Sequence, residues 1–327
     1  LLHFEICSEK SLMNIDVIID FVIVVVSILM LWKGADWLVD SAAEIAHTFK
    51  ISDLIIGLTV VAFGTSAPEF AVTISAAATS QTDISIGNVI GSNIFNLGFI
   101  LGGTAMIRPI STSQKMFERD GLFLLVTTAL IFFLFFGIDG WTPNDSFSKL
   151  EGLMLFSLLI GYVIFLFVKK DPPEEVHPAN ATIMSYVYFG IGLVMIVAGG
   201  HLMVTHASNL ARFMGVSDWV IAVTIVAAGT SAPEFATSVT AAIKGRHGIA
   251  VGNLIGSDLF NLLGVLGLAG MINPSSLAPD MDGSVVLLVL MVGLTLFMAR
   301  TNWTISRAEG TLLVTINLVR WYLDFAG

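Results

Sequence analysis

Charge is what this sequence has least of. Asp, Glu, Lys and Arg make up 12% of 327 residues, about half the roughly 25% of soluble domains, and mean hydropathy is +0.87. That composition excludes an ordinary soluble domain. Cysteine is almost missing: the single Cys7 excludes an intrachain disulfide framework, and no Cys/His spacing suggests zinc. There is no basic patch for nucleic acid, and the net charge is −10. Long polar stretches are absent too. The most polar, Lys169 to Thr182, has 14 residues and three prolines, which makes it a linker. Residues 1–16 lack a basic leader region and do not read as a signal peptide.

Apolar runs of about 20 residues, enough to cross a roughly 30 Å hydrocarbon core, recur along the whole length. Ten are read at 17–38, 54–80, 84–106, 121–137, 150–168, 184–208, 218–243, 249–271, 283–299 and 308–325. None alternates as a membrane β-barrel strand would, so they predict helices. Lys and Arg in the connections set the orientation. One set of alternate loops holds ten: Lys50; Arg108, Lys115 and Arg119; Lys169 and Lys170; Lys244 and Arg246; Arg300 and Arg307. The other set holds three, Lys10, Lys149 and Arg212. This imbalance predicts both termini outside and the 169–182 linker inside, in a multi-pass protein of the cell (inner) membrane. Asn144-Asp145-Ser146 falls in an outer loop and carries no weight as a glycosylation signal.

The chain repeats itself at an offset of 165. Gly64-Thr-Ser-Ala-Pro-Glu-Phe-Ala71 returns unchanged as Gly229 to Ala236, and Gly87-Asn-Val-Ile-Gly-Ser-Asn-Ile-Phe-Asn96 returns as Gly252-Asn-Leu-Ile-Gly-Ser-Asp-Leu-Phe-Asn261. Farther on, Glu151-Gly152 answers Glu309-Gly310 at an offset of 158. Each copy contains five spans. An odd number inserts the second copy from the opposite side, as in secondary transporters whose site lies near the midplane between halves. The predicted fold is therefore an all-α integral membrane protein of ten transmembrane helices. It divides into inverted five-helix repeats, 1–168 and 183–327, joined by the 169–182 linker.

The best-matched segments are also the polar ones. Glu69 and Glu234 are carboxylates inside apolar spans, where the default interpretation is functional. Pro68 lacks an N–H and clashes with the carbonyl four residues earlier, so the helix should break and free carbonyls between Ala62 and Thr65. With Thr65, Ser66 and Glu69 these are hard oxygen ligands, suited to Ca2+ or Na+. Thr230, Ser231, Pro233 and Glu234 repeat the set. Ser92 and Asn96, and Ser257 and Asn261, lie four apart on one face each and offer further neutral oxygens, although such residues also glue helices together. Two glutamates around one Ca2+ sum to zero charge, which a buried site tolerates. Gly87, Gly91, Gly102, Gly252, Gly256 and Gly267 read as packing positions.

Gly-Thr-Ser-x-Pro-Glu followed by Gly-Asn-x-Ile-Gly-Ser-x-x-x-Asn, occurring twice, resembles the paired α-repeats of the calcium/cation antiporter superfamily, prokaryotic Na+/Ca2+ exchangers in particular. The resemblance implies Ca2+ at the centre of spans 2, 3, 7 and 8, with Na+ sites around it. The ligands it implies are Glu69, Glu234, Ser66, Ser231, Ser92, Ser257, Asn96, Asn261 and the carbonyls of Thr65, Thr230, Ala62 and Ala227. It also implies that spans 1 and 6 form a sliding gate. No cofactor and no obligatory protein partner are implied; the ions are substrates and the lipid bilayer is the surrounding. Some relatives carry Asp where Asn261 stands, and the Asn argues against K+ co-transport. Asp258 follows Ser257 by one residue, about 100° around a helix, and is not expected to face the same site directly; an access path, a pair with another helix and proton modulation are the roles open to it.

A Ca2+/H+ antiporter using the same glutamates is the alternative within transport; paired Thr-Ser hydroxyls favour Na+. A channel fits a single midplane site between inverted halves less well. An enzyme would need a base near Ser66, and no histidine or lysine shares that segment. His201 and His206 match Asp36 and Ser41 in the repeat, so all six histidines read as interfacial.

Overall fold

A backbone in hydrocarbon must satisfy its own hydrogen bonds, and the apolar runs do so as helices. The computed structural model describes residues 2–136, 147–171, 180–217, 221, 225, 227–274 and 282–326, with side chains from residue 15 to 323 except at 82–83, 227 and 282. Asn144, His177 and much of 218–226 lie outside the described residues.

In chain order the helices are α1 Leu2–Phe49, α2 Asp53–Thr65 and α3 Ala67–Ala78, α4 at 82–107, α5 Met116–Phe136 and α6 Lys149–Lys169. The second half has α7 Ile183–Phe213, α8 Ala227–Thr230, α9 Ala232–Ile243, α10 His247–Ile272, α11 Asp282–Arg300 and α12 Arg307–Ala326. Among the described residues, seven helices are long and apolar enough to cross a membrane, within α1, α4, α5, α6, α7, α10 and α11. The α2–α3 pair, bent by 51°, is an eighth candidate. α8 with α9, and α12, fill the other two segments read from the sequence without meeting that standard. Most of the chain before α8 is undescribed, and α12 carries Arg307, Glu309 and Arg320. Burial runs from 11% of α1's apolar window to 83% of α10's, so α10 is central and α1 peripheral.

The halves interlock through glycine. A Cβ on Gly102 of α4 would lie 2.8 Å from the Gly310 carbonyl of α12, and one on Gly267 of α10 would lie 2.9 Å from the Gly152 carbonyl of α6. The 165 offset maps Gly102 onto Gly267, and the 158 offset maps Gly152 onto Gly310, so each half lends the same contact to the other. The second offset has a local origin as well. Ser148 and Glu151 cap α6 reciprocally, at 2.6 and 3.3 Å, and Ser306 and Glu309 cap α12 at 2.7 and 3.3 Å, the capping box of helix starts. Gly252 and Gly256 also touch backbone of α2, but a Cβ on Gly91 would meet nothing within 4 Å; packing does not explain that glycine.

The basic connections gather at one end. A short ribbon pairs Ile110–Ser111 with Thr304–Ile305, Arg108 reaches the Ile243 carbonyl, and Arg246 lies 3.6 Å from Asp53. Asp171, in the connection after α6, takes Lys115 at 2.5 Å and Arg119. Burial raises the Asp171 carboxyl, yet these two bases hold it below the usual value. Arg119 is not a loop residue, as its place in the sequence suggested. It lies in the first, wide turn of α5, where it and Tyr162 of α6 both bond Asp120 at 2.7 Å.

Two glycines of α6 separate packing from propensity. A Cβ on Gly152 would lie 2.6 Å from the Gly267 carbonyl, whereas one on Gly161 would meet nothing within 4 Å. Gly152→Ala is expected to destabilise the detergent-solubilised protein by about 1–3 kcal/mol through overpacking, and Gly161→Ala to leave it as stable or more so. Thermal unfolding checks this; equal effects would refute close α6–α10 contact.

Candidate functional site

Pro68 and its copy Pro233 build the site by what they lack. Each sits in the first turn of a new helix, where no backbone N–H is required, and the preceding residue absorbs the break. Ser66 has φ −77° and ψ 7°; Ser231 has φ −90° and ψ 11°. The bend directs Ser66 and Glu69 inward, and their copies likewise. Glu69 is 1% exposed and Glu234 fully buried.

The expected free carbonyl at Ala62 is taken: it accepts from the Ser66 N–H at 3.0 Å and the Thr65 hydroxyl at 3.3 Å. The glutamates are held across the halves. Ser66 Oγ donates to Glu234 Oε1 and Ser231 Oγ donates to Glu69 Oε1, both at 3.0 Å. Ser257 Oγ donates to the same Glu234 oxygen at 3.5 Å, and Thr65 Oγ1 lies 3.4 Å from Ser257 Oγ. Glu69, Glu234, Thr65, Ser66, Ser231 and Ser257 thus form one connected cluster, with Glu234 acting electrostatically on Glu69. Thr230 ends α8 beside Ser231, and Ala227 opens that helix. Ser92 is buried on α4, one turn before Asn96.

Asn96 and Asn261 each begin or lie in a wide, π-helical turn, Asn96–Ile100 and Phe260–Val265. Such turns recur at functional sites, and no residue pattern announced them. The side-chain oxygens left without a hydrogen-bond partner include Glu69 Oε2, Glu234 Oε2, Asn96 Oδ1, Asn261 Oδ1 and Asp258 Oδ2. Every one is an acceptor. Buried acceptors cost free energy unless a partner reaches them, and this set suits a cation. Among the described residues no ion pair reaches Glu69, Glu234 or Asp258, and no three His, Cys, Asp or Glu converge as a metal cluster. Hydroxyl and amide oxygens therefore dilute the carboxylates.

Three residues escaped the sequence as individuals: Asn88, Asn253 and Asn93. Asn88 Nδ2 donates to Thr73 Oγ1 at 2.9 Å and to the Glu69 carbonyl at 3.5 Å. Its copy Asn253 donates to Ser238 Oγ at 3.0 Å and to the Glu234 carbonyl at 3.4 Å, and accepts from Thr65 at 3.0 Å. The Asn of both Gly-Asn motifs was the available signal. Asp258 pairs with another helix, one of the roles its sequence left open. It is fully buried and accepts from Asn96 Nδ2 at 3.0 Å. Measured from Ser257 it is off-axis, but it lies three residues before Asn261 and so shares that residue's face. Asn93, its copy, accepts from Asn261 Nδ2 at 3.0 Å. Of the histidines, His206 lies 2.6 Å from Asp20 of α1 and His47 lies 3.2 Å from Asn180.

Known proteins resemble this chain in sequence and fold. The family model described as sodium/calcium exchanger protein matches residues 19–168 and 184–323. Sodium/calcium exchanger MaX1 of Methanosarcina acetivorans is 32% identical, over 90% of this chain and 95% of that protein. Inner membrane protein YrbG of Escherichia coli is 32% identical, over 89% and 92%. A solved structure of the sodium-calcium exchanger NCX_Mj matches with a TM-score of 0.81 at 30% identity, covering 93% of this chain and 97% of that one.

The two supporting asparagines differ in burial: Asn253 is fully buried, Asn88 half-buried. Asn253→Ala should cost about 1–3 kcal/mol, the penalty for stranding buried polar groups, and Asn88→Ala clearly less because water reaches its site. Unfolding midpoints in detergent decide it, and a larger loss at Asn88 would contradict the assigned roles.

Proposed function

Because this chain belongs to the sodium/calcium exchanger protein family, we propose that it is a secondary antiporter exchanging Na+ for Ca2+ at a single midplane site by alternating access. The observation that carries this is the cross-held carboxylate pair, whose free oxygens, with those of Asn96 and Asn261, are all acceptors in a buried place. Glu69 and Glu234 supply the charge for one Ca2+. Ser66, Ser231, Ser92, Ser257, Asn96, Asn261 and the carbonyls of Thr65, Thr230, Ala62 and Ala227 supply neutral oxygen for Ca2+ and Na+. For Ala62 this requires the Thr65 hydroxyl to turn aside.

Residues 1–168 and 183–327 are then two inverted five-helix repeats, the 169–182 linker is cytoplasmic, and both termini are outside. The reciprocal glycine contacts and the single basic end support that topology. The chain sits in the cell membrane; one relative is named an inner membrane protein. α1 and α7 are the moving pair. They meet almost backbone to backbone, since a Cβ on Gly192 would lie 2.7 Å from the Gly34 carbonyl, and this close packing suits a pair that slides across the core as one unit. Lys244, just past α9, holds Asp36 at 2.5 Å and Asp40 at 2.8 Å on α1, and these pairs re-form when α1 moves.

Two Na+ neutralise the glutamates and a third leaves the loaded core positive, so exchange of three Na+ for one Ca2+ moves charge. One charge couples to voltage by about 2.3 kcal/mol per 100 mV. In Na+-loaded proteoliposomes, an outward Na+ gradient should drive 45Ca2+ uptake, and an inside-positive potential clamped with valinomycin should increase it. Glu69→Gln and Glu234→Gln should each cut uptake at least about thirtyfold, since each removes half the charge at a buried ion pair. Uptake that follows a pH gradient and ignores Na+ would assign protons as the counter-ion. Na+-dependent uptake that ignores voltage would mean two Na+ per Ca2+. A folded glutamine variant that exchanges at the wild-type rate would remove that glutamate from the site.

A further inference from the structure

Asn96 and Asn261 can serve a cation only through their amide oxygens, yet an amide presents an oxygen and an NH2 of nearly the same shape. Something must decide which end faces inward. At Asn96 the NH2 is committed: it donates to Asp258 Oδ1 at 3.0 Å. At Asn261 it donates to Asn93 Oδ1 at 3.0 Å. In both cases the amide oxygen is the atom left without a partner. The two holders are repeat copies of one another, and each grips the ligand asparagine of the opposite half.

The chain of constraint has an origin. Asn93 is itself an amide, and its own orientation is set because its NH2 donates to the Asp258 carbonyl at 3.2 Å. Only then is its oxygen free to accept from Asn261. Asp258 Oδ1 accepts from Asn96, and the Asp258 backbone carbonyl, which carries no hydrogen, can only accept from Asn93. The orientation of both ligand amides leads back to this one residue. A pair of asparagines here, as strict repetition would give, could reverse together. Asp258 breaks that degeneracy.

We propose that Asp258, acting with Asn93, is a positioning residue that fixes the amide oxygens of Asn96 and Asn261 toward the transported cation; this rests on the cation site proposed above. Two near-isosteric variants and one truncation test it in the full-length protein: Asp258→Asn, the swap Asn93→Asp/Asp258→Asn, and Asn93→Ala. Equilibrium 45Ca2+ binding in detergent and the Ca2+ dependence of exchange in proteoliposomes are both read. Asp258→Asn and Asn93→Ala should each raise half-saturating Ca2+ about five- to tenfold, the scale of one misdirected hydrogen-bonding group, with the maximal rate within about twofold. The swap places the carboxylate at the symmetry-related position and should return half-saturation to within about threefold of wild type. A silent Asn93→Ala would overturn the proposal, since a pure charge effect of Asp258 leaves the neutral Asn93 without a role. So would a swap no better than Asp258→Asn, or variants that lose maximal rate or thermal stability at unchanged half-saturation. Wild-type protein that binds Ca2+ but exchanges it for protons would refute the Na+ coupling while leaving these ratios standing. Wild-type protein that binds no Ca2+ would overturn both.

Discussion

Two carboxylates, one from each half, sit buried with no basic side chain paired to either among the described residues. Glu69 is held by a serine hydroxyl from the opposite half and Glu234 by one from each half, and like charges in a low-dielectric interior repel strongly. A hydroxyl can steady one oxygen of a carboxylate but cannot cancel its charge. The rest of the protein follows from that imbalance. The helices must break to bring polar backbone and hydroxyls to the carboxylates, and α10 must be almost wholly buried to shield them from lipid. Loading the site with a cation is what relieves the strain.

Duplication is an economical way to make such a pair. A single half carries one Pro-broken helix, one glutamate and one π-turn asparagine. Two copies together supply the paired contacts: Gly102 on Gly310 and Gly267 on Gly152, Ser66 on Glu234 and Ser231 on Glu69. The symmetry is incomplete where chemistry differs. Gly256 packs on α2 while Gly91 touches nothing, and Asp258 replaces the amide found at Asn93.

Much of this was legible in the sequence, for physical reasons. A carboxylate next to a proline in an apolar run is too costly to be incidental, so Glu69 and Glu234 declared themselves, and the 165-residue repeat paired them. The odd span count is what predicts the inversion. What stayed hidden depended on partners far along the chain. Asn88 and Asn253 read as parts of a glycine motif because their targets, the Glu69 and Glu234 carbonyls, lie on another helix. The helix partner of Asp258 could not be named from the sequence, because it is Asn96, across the repeat. The wide turns at Asn96 and Phe260 change which residues share a face and leave no mark in hydrophobic periodicity. Arg119 looked like a loop cation because its partner Asp171 lies in the connection after α6, and its other partner, Asp120, is also bonded by Tyr162 of α6.

The central claim is that both halves serve one divalent ion and that Na+ competes for the same oxygens. Equilibrium 45Ca2+ binding to the purified chain, with and without a Na+ titration, tests it most directly. One Ca2+ per chain, displaced by Na+ with a Hill coefficient above one, is the predicted result. Two independent Ca2+ per chain, or Ca2+ binding that Na+ does not disturb, would contradict it.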